Sequence, residues 1–125
     1  MNAVGVRTRQ QEVLEILYRL GEASVADVRR ELAEDLDYSA VRSALNALEA
    51  KELVKHRERN LRYVYSPVVP RSRASRAAVR RLLVTYFDDD PVPALKALLE
   101  IIRKRRAVDY AAMRRLVDEA RKKRG

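Results

Sequence analysis

The hydrophobic period of this chain changes near Leu53, and that change constrains its fold more than any other feature of the sequence. In "YSAVRSALNALEAKELV" (Tyr38–Val54), Val41, Leu45 and Leu48, with Ala44, recur at the spacing of one helical face. After Leu53 the alternation falls to every second residue, the period of a half-buried strand. Two further segments of helical period come before. Thr8 and Gln11 form a T-x-x-Q capping box ahead of Val13, Leu14, Ile16, Leu17 and Leu20, and Gly21 supplies the stop. Ser24 and Asp27 repeat the start signal ahead of Val25, Val28 and Leu32. Ser39 is the expected N-cap of the third helix.

The strands are expected at Leu53–His56 and Leu61–Ser66, joined across Arg57–Asn60, with Asn60 suited to a positive φ. Tyr63 and Tyr65 share one face of the hairpin; Arg62 and Val64 share the other. Pro67 and Pro70 close the unit. Helix, helix, helix, hairpin is the order of a winged helix-turn-helix. The remainder reads as three helices, over Ser72–Phe87, Pro93–Lys104 and the segment capped by Asp109, ending in a basic tail, Arg121–Gly125. The expected class is mainly α with a small β-hairpin. The expected division is residues 1–70 as a winged helix-turn-helix domain for DNA binding and residues 71–125 as a helical dimerisation region with a basic tail.

Charge divides the chain at the same place. Of the net charge of +9, residues 1–70 contribute nothing, holding 11 Lys/Arg against 11 Asp/Glu, while residues 71–125 hold 16 against 7. A polyanionic partner is implied. With no cysteine, disulfides, thiolate metal sites and cysteine nucleophiles are excluded. No glycine-rich phosphate loop is present, and the single histidine, His56, has no metal-ligand spacing and no evident carboxylate partner, so it reads as a solvated strand residue. No enzyme, cofactor or metal is expected. No apolar run approaches the roughly 20 residues of a membrane span, and no secretory signal is visible, so a soluble, cytoplasmic protein is expected. Asp88, Asp89 and Asp90 lack the spread of a calcium loop; they are expected to end one helix and cap the next.

The candidate site follows from the third helix. Its outward face shows Ser39, Ala40, Arg42, Ser43, Asn46 and Ala50, side chains short enough for a helix to enter a major groove about 12 Å wide. Arg42 suits a guanine edge or a phosphate, and Asn46 suits adenine. The plainer reading is a solvated amphipathic helix. Arg57, Arg59 and Arg62 suit backbone contacts by a wing, although Glu58 among them is discordant. Tyr63 and Tyr65 are expected to pack rather than stack on bases. Leucine-rich faces after residue 72, including Leu95, Leu98, Leu99, Ile102, Met113 and Leu116, require burial, and a twofold dimer supplies it. Such a dimer on double-stranded DNA predicts a pseudo-palindromic operator. Alternatives are a winged-helix protein-interaction module and a non-specific nucleic-acid-binding protein.

"EDLDYSAVRSALNALEAKELVKHRERNLRYVYSP" and "GEASVADVRREL" resemble the penicillinase-repressor family of winged-helix regulators (the BlaI/MecI/CopY group), and the resemblance runs from about Thr8 to Val117. It implies a homodimeric repressor that binds inverted repeats built around TACA/TGTA. It assigns Tyr38, Ser39, Arg42 and Ser43 to the recognition helix, and Arg57, Arg59, Arg62 and Tyr63 to the wing. Leu82, Leu83, Phe87, Leu95, Leu98, Leu99 and Met113 fall on the dimer helices. Glu52 and Asp88-Asp89 stand where the family often has glycine. Leu98-Leu99 stands where the family's antibiotic-responsive members are cleaved at Asn-Phe, and the cysteine-rich tail of copper-responsive members has no counterpart. A signalling protease or an effector thus stays open, as do the target genes. Arg103–Arg106 and Arg121–Arg124 are expected to add phosphate contacts, hold an acidic partner or serve only solubility.

Overall fold

The computed structural model describes residues 7–124, so Gly125 of the basic tail lies outside the described residues. The order is α1 (Arg9–Leu20), α2 (Val25–Glu31), α3 (Tyr38–Ala50), β1 (Val54–Arg59), β2 (Arg62–Pro67), α4 (Arg71–Tyr86), α5 (Pro91–Ile102) and α6 (Tyr110–Arg124). Two compact units divide inside α4, between Ala77 and Ala78.

In the first unit, local chemistry sets the helix starts. Thr8 and Gln11 exchange hydrogen bonds ahead of α1, at 3.1 Å and 2.9 Å. Ser24 and Asp27 do the same ahead of α2, at 3.2 Å and 3.0 Å. Gly21, at φ 86°, ends α1, and its amide donates to the Leu17 carbonyl. The third start differs from expectation. Asp37, not Ser39, caps α3, its carboxylate accepting from the Ala40 amide at 2.8 Å. Ser39 is thereby one of the first helical residues and faces outward. A carboxylate competes well at a helix N-terminus because it also meets the positive end of the dipole.

Val13, Ile16 and Leu17 of α1, Val25 and Val28 of α2, and Val41, Ala44, Leu45 and Leu48 of α3 form one core with Val54 and Tyr65 of the hairpin. Tyr65 is buried as its pairing with the helices requires: Ala23, between α1 and α2, exchanges two backbone hydrogen bonds with it, at 2.9 Å and 2.8 Å. That bridge sews the hairpin to the helical layer. Burial, reinforced by the Glu49 carboxylate, raises the Tyr65 phenol's pKa above its ordinary value.

The strands run further than the alternation indicated. β1 extends through Arg59, and the antiparallel register Val54↔Pro67 to Arg59↔Arg62 leaves a two-residue turn, Asn60-Leu61, with φ of 52° and 64°. Positive φ at both positions defines the hairpin turn whose twist matches the strands. Leu61 therefore belongs to the turn and not to β2. Three consecutive charged residues, Arg57-Glu58-Arg59, obscured the ladder's extent.

Between α3 and β1 the chain reverses through a Schellman motif: Leu53 N–H donates to Leu48 C=O at 3.0 Å and Glu52 N–H to Glu49 C=O at 2.9 Å. Glu52 sits at φ 62°, a conformation glycine adopts freely. A non-glycine residue there carries about 1–2 kcal/mol of strain. Glu52→Gly is expected to stabilise the fold by about 0.5–1 kcal/mol after glycine's greater unfolded-chain entropy is subtracted. Urea unfolding checks this as a raised midpoint with unchanged slope.

Asp27 gives the first unit an acid-sensitive point. The Ser24 backbone hydrogen bond, then the Ser24 hydroxyl, holds its carboxyl below the ordinary range, with Arg30 adding a smaller contribution. A folded-state pKa below the unfolded value stabilises above the unfolded value and loses that contribution as pH falls through the folded one. Acid unfolding is therefore expected to draw on Asp27 below about pH 4. Asp27→Asn should flatten that part of a stability–pH profile; an unchanged profile would contradict the assignment.

The second unit begins within α4. Asp88 and Asp89, at φ 51° and 58°, turn the chain out of α4, and Asp90 caps α5 by accepting from Val92 N–H at 3.0 Å. Pro91 fills the first turn of α5, where no amide is needed. Asp109 caps α6 through Ala112 N–H at 2.9 Å. Arg121–Arg124 form the last turn of α6 rather than a separate tail. Cations suit that end of a helix. Ile102 is buried within this unit, whereas Leu82, Leu95, Leu98 and Leu116 are 46–64% exposed.

Candidate nucleic-acid interface

Because α3 spends Val41, Ala44, Leu45 and Leu48 on the core, its opposite face is fixed: Ser39, Arg42, Ser43, Asn46 and Ala50 are all exposed. Ala40 is half-buried at the edge of that face, and Tyr38, at the first position of the helix, is half-exposed. Among the described residues Arg42 has no carboxylate within ion-pair distance. Its guanidinium presents a planar fork of five donors, the geometry that reads guanine or grips phosphate. Asn46 lies one turn further along the same face.

The wing stands beside this face. Tyr38 and Arg42 of α3 share a groove with Glu58, Leu61, Arg62 and Tyr63 of the hairpin, and the start of α2 closes one side through Ser24, Val25 and Ala26. Cross-strand pairing puts His56 opposite Tyr65 and Glu58 opposite Tyr63. Tyr65 packs, as expected; Tyr63 remains half-exposed, with its ring 4.6 Å from that of His56.

The structure adds two contacts on the wing that the sequence did not indicate. His56 is not an unpartnered strand residue: its Nδ1 lies 2.5 Å from a Glu49 carboxylate oxygen, tying β1 to the end of α3. Two of the wing arginines also have a partner. Arg57 reaches Glu22 at 2.9 Å and Arg59 reaches the same carboxylate at 3.3 Å. These arginine side chains are more than half exposed, so each pair is worth about 0–1 kcal/mol and gives way readily to a phosphate. Arg62 has no such partner among the described residues.

Sequence reasoning missed Glu22, Glu49 and Leu61 as parts of this surface. Nothing in their local spacing reveals the two glutamates, which reach their partners only through the helix–hairpin packing. For Leu61 the signal was available: a turn one residue longer than Asn60 alone puts it at the tip. On the second unit, Arg103–Arg106 and Arg121–Arg124 are exposed, and among the described residues none forms an ion pair.

Three helices, the third with an outward-facing polar side, followed by a two-stranded wing, define a winged helix-turn-helix. The family model described as penicillinase repressor matches residues 7–119. The chain therefore belongs to the penicillinase repressor family, and it is a DNA-binding transcriptional repressor. No curated protein matches the sequence. Among solved structures, it is similar to one of Bordetella bronchiseptica BpsR, described for the regulation of DNA binding by 6-hydroxynicotinic acid, at 19% identity and a TM-score of 0.46, covering 77% of this chain and 75% of that one. It is also similar to the multiple antibiotic resistance repressor MarR, at 14% identity and a TM-score of 0.49, covering 94% and 78%. Among the described residues no helix is long and apolar enough to cross a membrane.

Proposed function

We propose that two copies of this chain occupy an inverted-repeat promoter operator and exclude polymerase from it. The supporting observation is the exposed face of α3, which carries short side chains and one long one, Arg42, without an ion pair among the described residues, set beside a wing that carries Arg62 and Tyr63. In this reading Arg42 and Asn46 meet base edges, Ser39 and Ser43 meet bases or phosphates, and Ala40 allows close approach. Tyr38 and Tyr63 flank them from the groove. Arg57, Arg59 and Arg62 meet the neighbouring backbone and fix the register. The half-exposed apolar side chains of the second unit, Leu82, Leu95, Leu98 and Leu116, are covered by the partner copy, together with the less exposed Leu83, Phe87, Leu99 and Met113.

A gel-shift titration on the promoter region of the chain's own gene, against a scrambled duplex and at two salt concentrations, tests this. A saturable shift selective for the promoter is expected. Each phosphate neutralised steepens the dependence of log K on log salt by about 0.9. If neutralising Arg103–Arg106 lowers that slope, those residues join the backbone contacts. Equal affinity for the scrambled duplex would leave only charge-driven binding.

A further inference from the structure

The tip of the wing carries a side chain that folding does not call for. Leu61 is 93% exposed and sits at φ 64°, in the second position of a turn that glycine or asparagine fills without strain. A large apolar side chain in left-handed backbone, out in water, is unfavourable on both counts in the free chain. Strain retained in that way points to a bound state that uses it. Its setting indicates which one: the cross-strand pair Arg59↔Arg62 flanks the turn, Arg62 without an ion pair among the described residues and Arg59 held only by the exposed pair with Glu22, and Leu61 borders the groove shared with Arg42 of α3.

On the DNA-binding reading above, we infer that Leu61 is an apolar wedge that enters the minor groove adjoining the α3 contact. The shape of the wing supports this: each strand has six residues, a length of about 20 Å at about 3.3 Å per residue, and Leu61 at the tip is 93% exposed. A groove about 6 Å wide admits a single side chain but no helix. Apolar side chains placed there press between base steps, and the guanidiniums beside this one complement the phosphate walls. Guanine obstructs the floor of the groove with its N2 amine, so the wedge favours A·T pairs beneath the tip. Leu61 thereby sets a preference at positions that α3 never reaches.

The test uses the full chain as wild type, Leu61→Gly and Leu61→Asn. The probes are the footprinted operator carrying A·T, G·C or inosine·C pairs at the steps flanking the α3 contacts; inosine removes only the minor-groove amine. Both variants should unfold at or above the wild-type temperature, since the turn is relieved. They should nevertheless bind the A·T and inosine·C duplexes about tenfold more weakly, a difference of about 1.4 kcal/mol. On the G·C duplex they should match wild type. Binding by the variants that equals wild type on all three duplexes, or is weakened equally on all three, overturns the wedge while leaving the repressor reading in place. A wild-type chain that does not select the operator over scrambled DNA overturns both.

Discussion

Arg42→Ala is expected to abolish selective binding of the operator while leaving the fold intact. Arg42 projects from the exposed face of α3 and forms no ion pair among the described residues. Its loss should change stability by no more than about 0.5 kcal/mol. A bidentate contact to a base is worth about 1–3 kcal/mol, and a twofold complex contains two of them. The affinity for the operator should therefore fall by about 30-fold to 10⁴-fold, with little change for scrambled duplex. Arg42→Lys sharpens the test: it keeps the charge and loses the planar fork. If base reading is the role of Arg42, lysine restores salt-dependent binding without restoring selectivity. An Arg42→Ala chain that still selects the operator would place recognition elsewhere on the surface.

Replacing Leu95 and Leu98 together by Asp is expected to separate the two copies without unfolding either. Both leucines are about half exposed, at 46% and 50%, so in the single chain the change removes little from a core. Across a twofold interface each substitution occurs twice. Burying a leucine contributes about 1.5–3 kcal/mol, so a pair of copies of even one of these residues accounts for about 3–6 kcal/mol of association, or about 10²–10⁴-fold. Operator affinity should fall with dimer affinity, while helical content by circular dichroism stays near that of wild type. A variant that remains dimeric would assign the contact to another surface.

The helical layer of the first unit was legible because its determinants are local. The capping pairs Thr8/Gln11 and Ser24/Asp27 lie three residues apart, and the buried faces repeat at helical spacing. The left-handed turn at Glu52 and the reversal at Asp88-Asp89 were also visible, since each occupies a position where glycine is commonly found. Local reasoning failed where two neighbours offered equivalent chemistry: Asp37 and Ser39 both cap well, and the charged end of the dipole decided for Asp37. It failed again where the partner is distant in sequence. Glu22 lies 35 residues before Arg57, and only the docking of the hairpin on the helices brings them together. The His56–Glu49 contact likewise depends on the sharp reversal through Glu52.

Sedimentation of the protein alone, and then with a duplex bearing two half-sites, tests the pairing of copies most directly. Two chains in the free species are expected, and two chains per duplex when the half-site centres lie one turn, about 34 Å, apart; shifting the spacing by half a turn should abolish the tight complex. A one-chain species that loads one copy per duplex, whatever the spacing, would contradict the account.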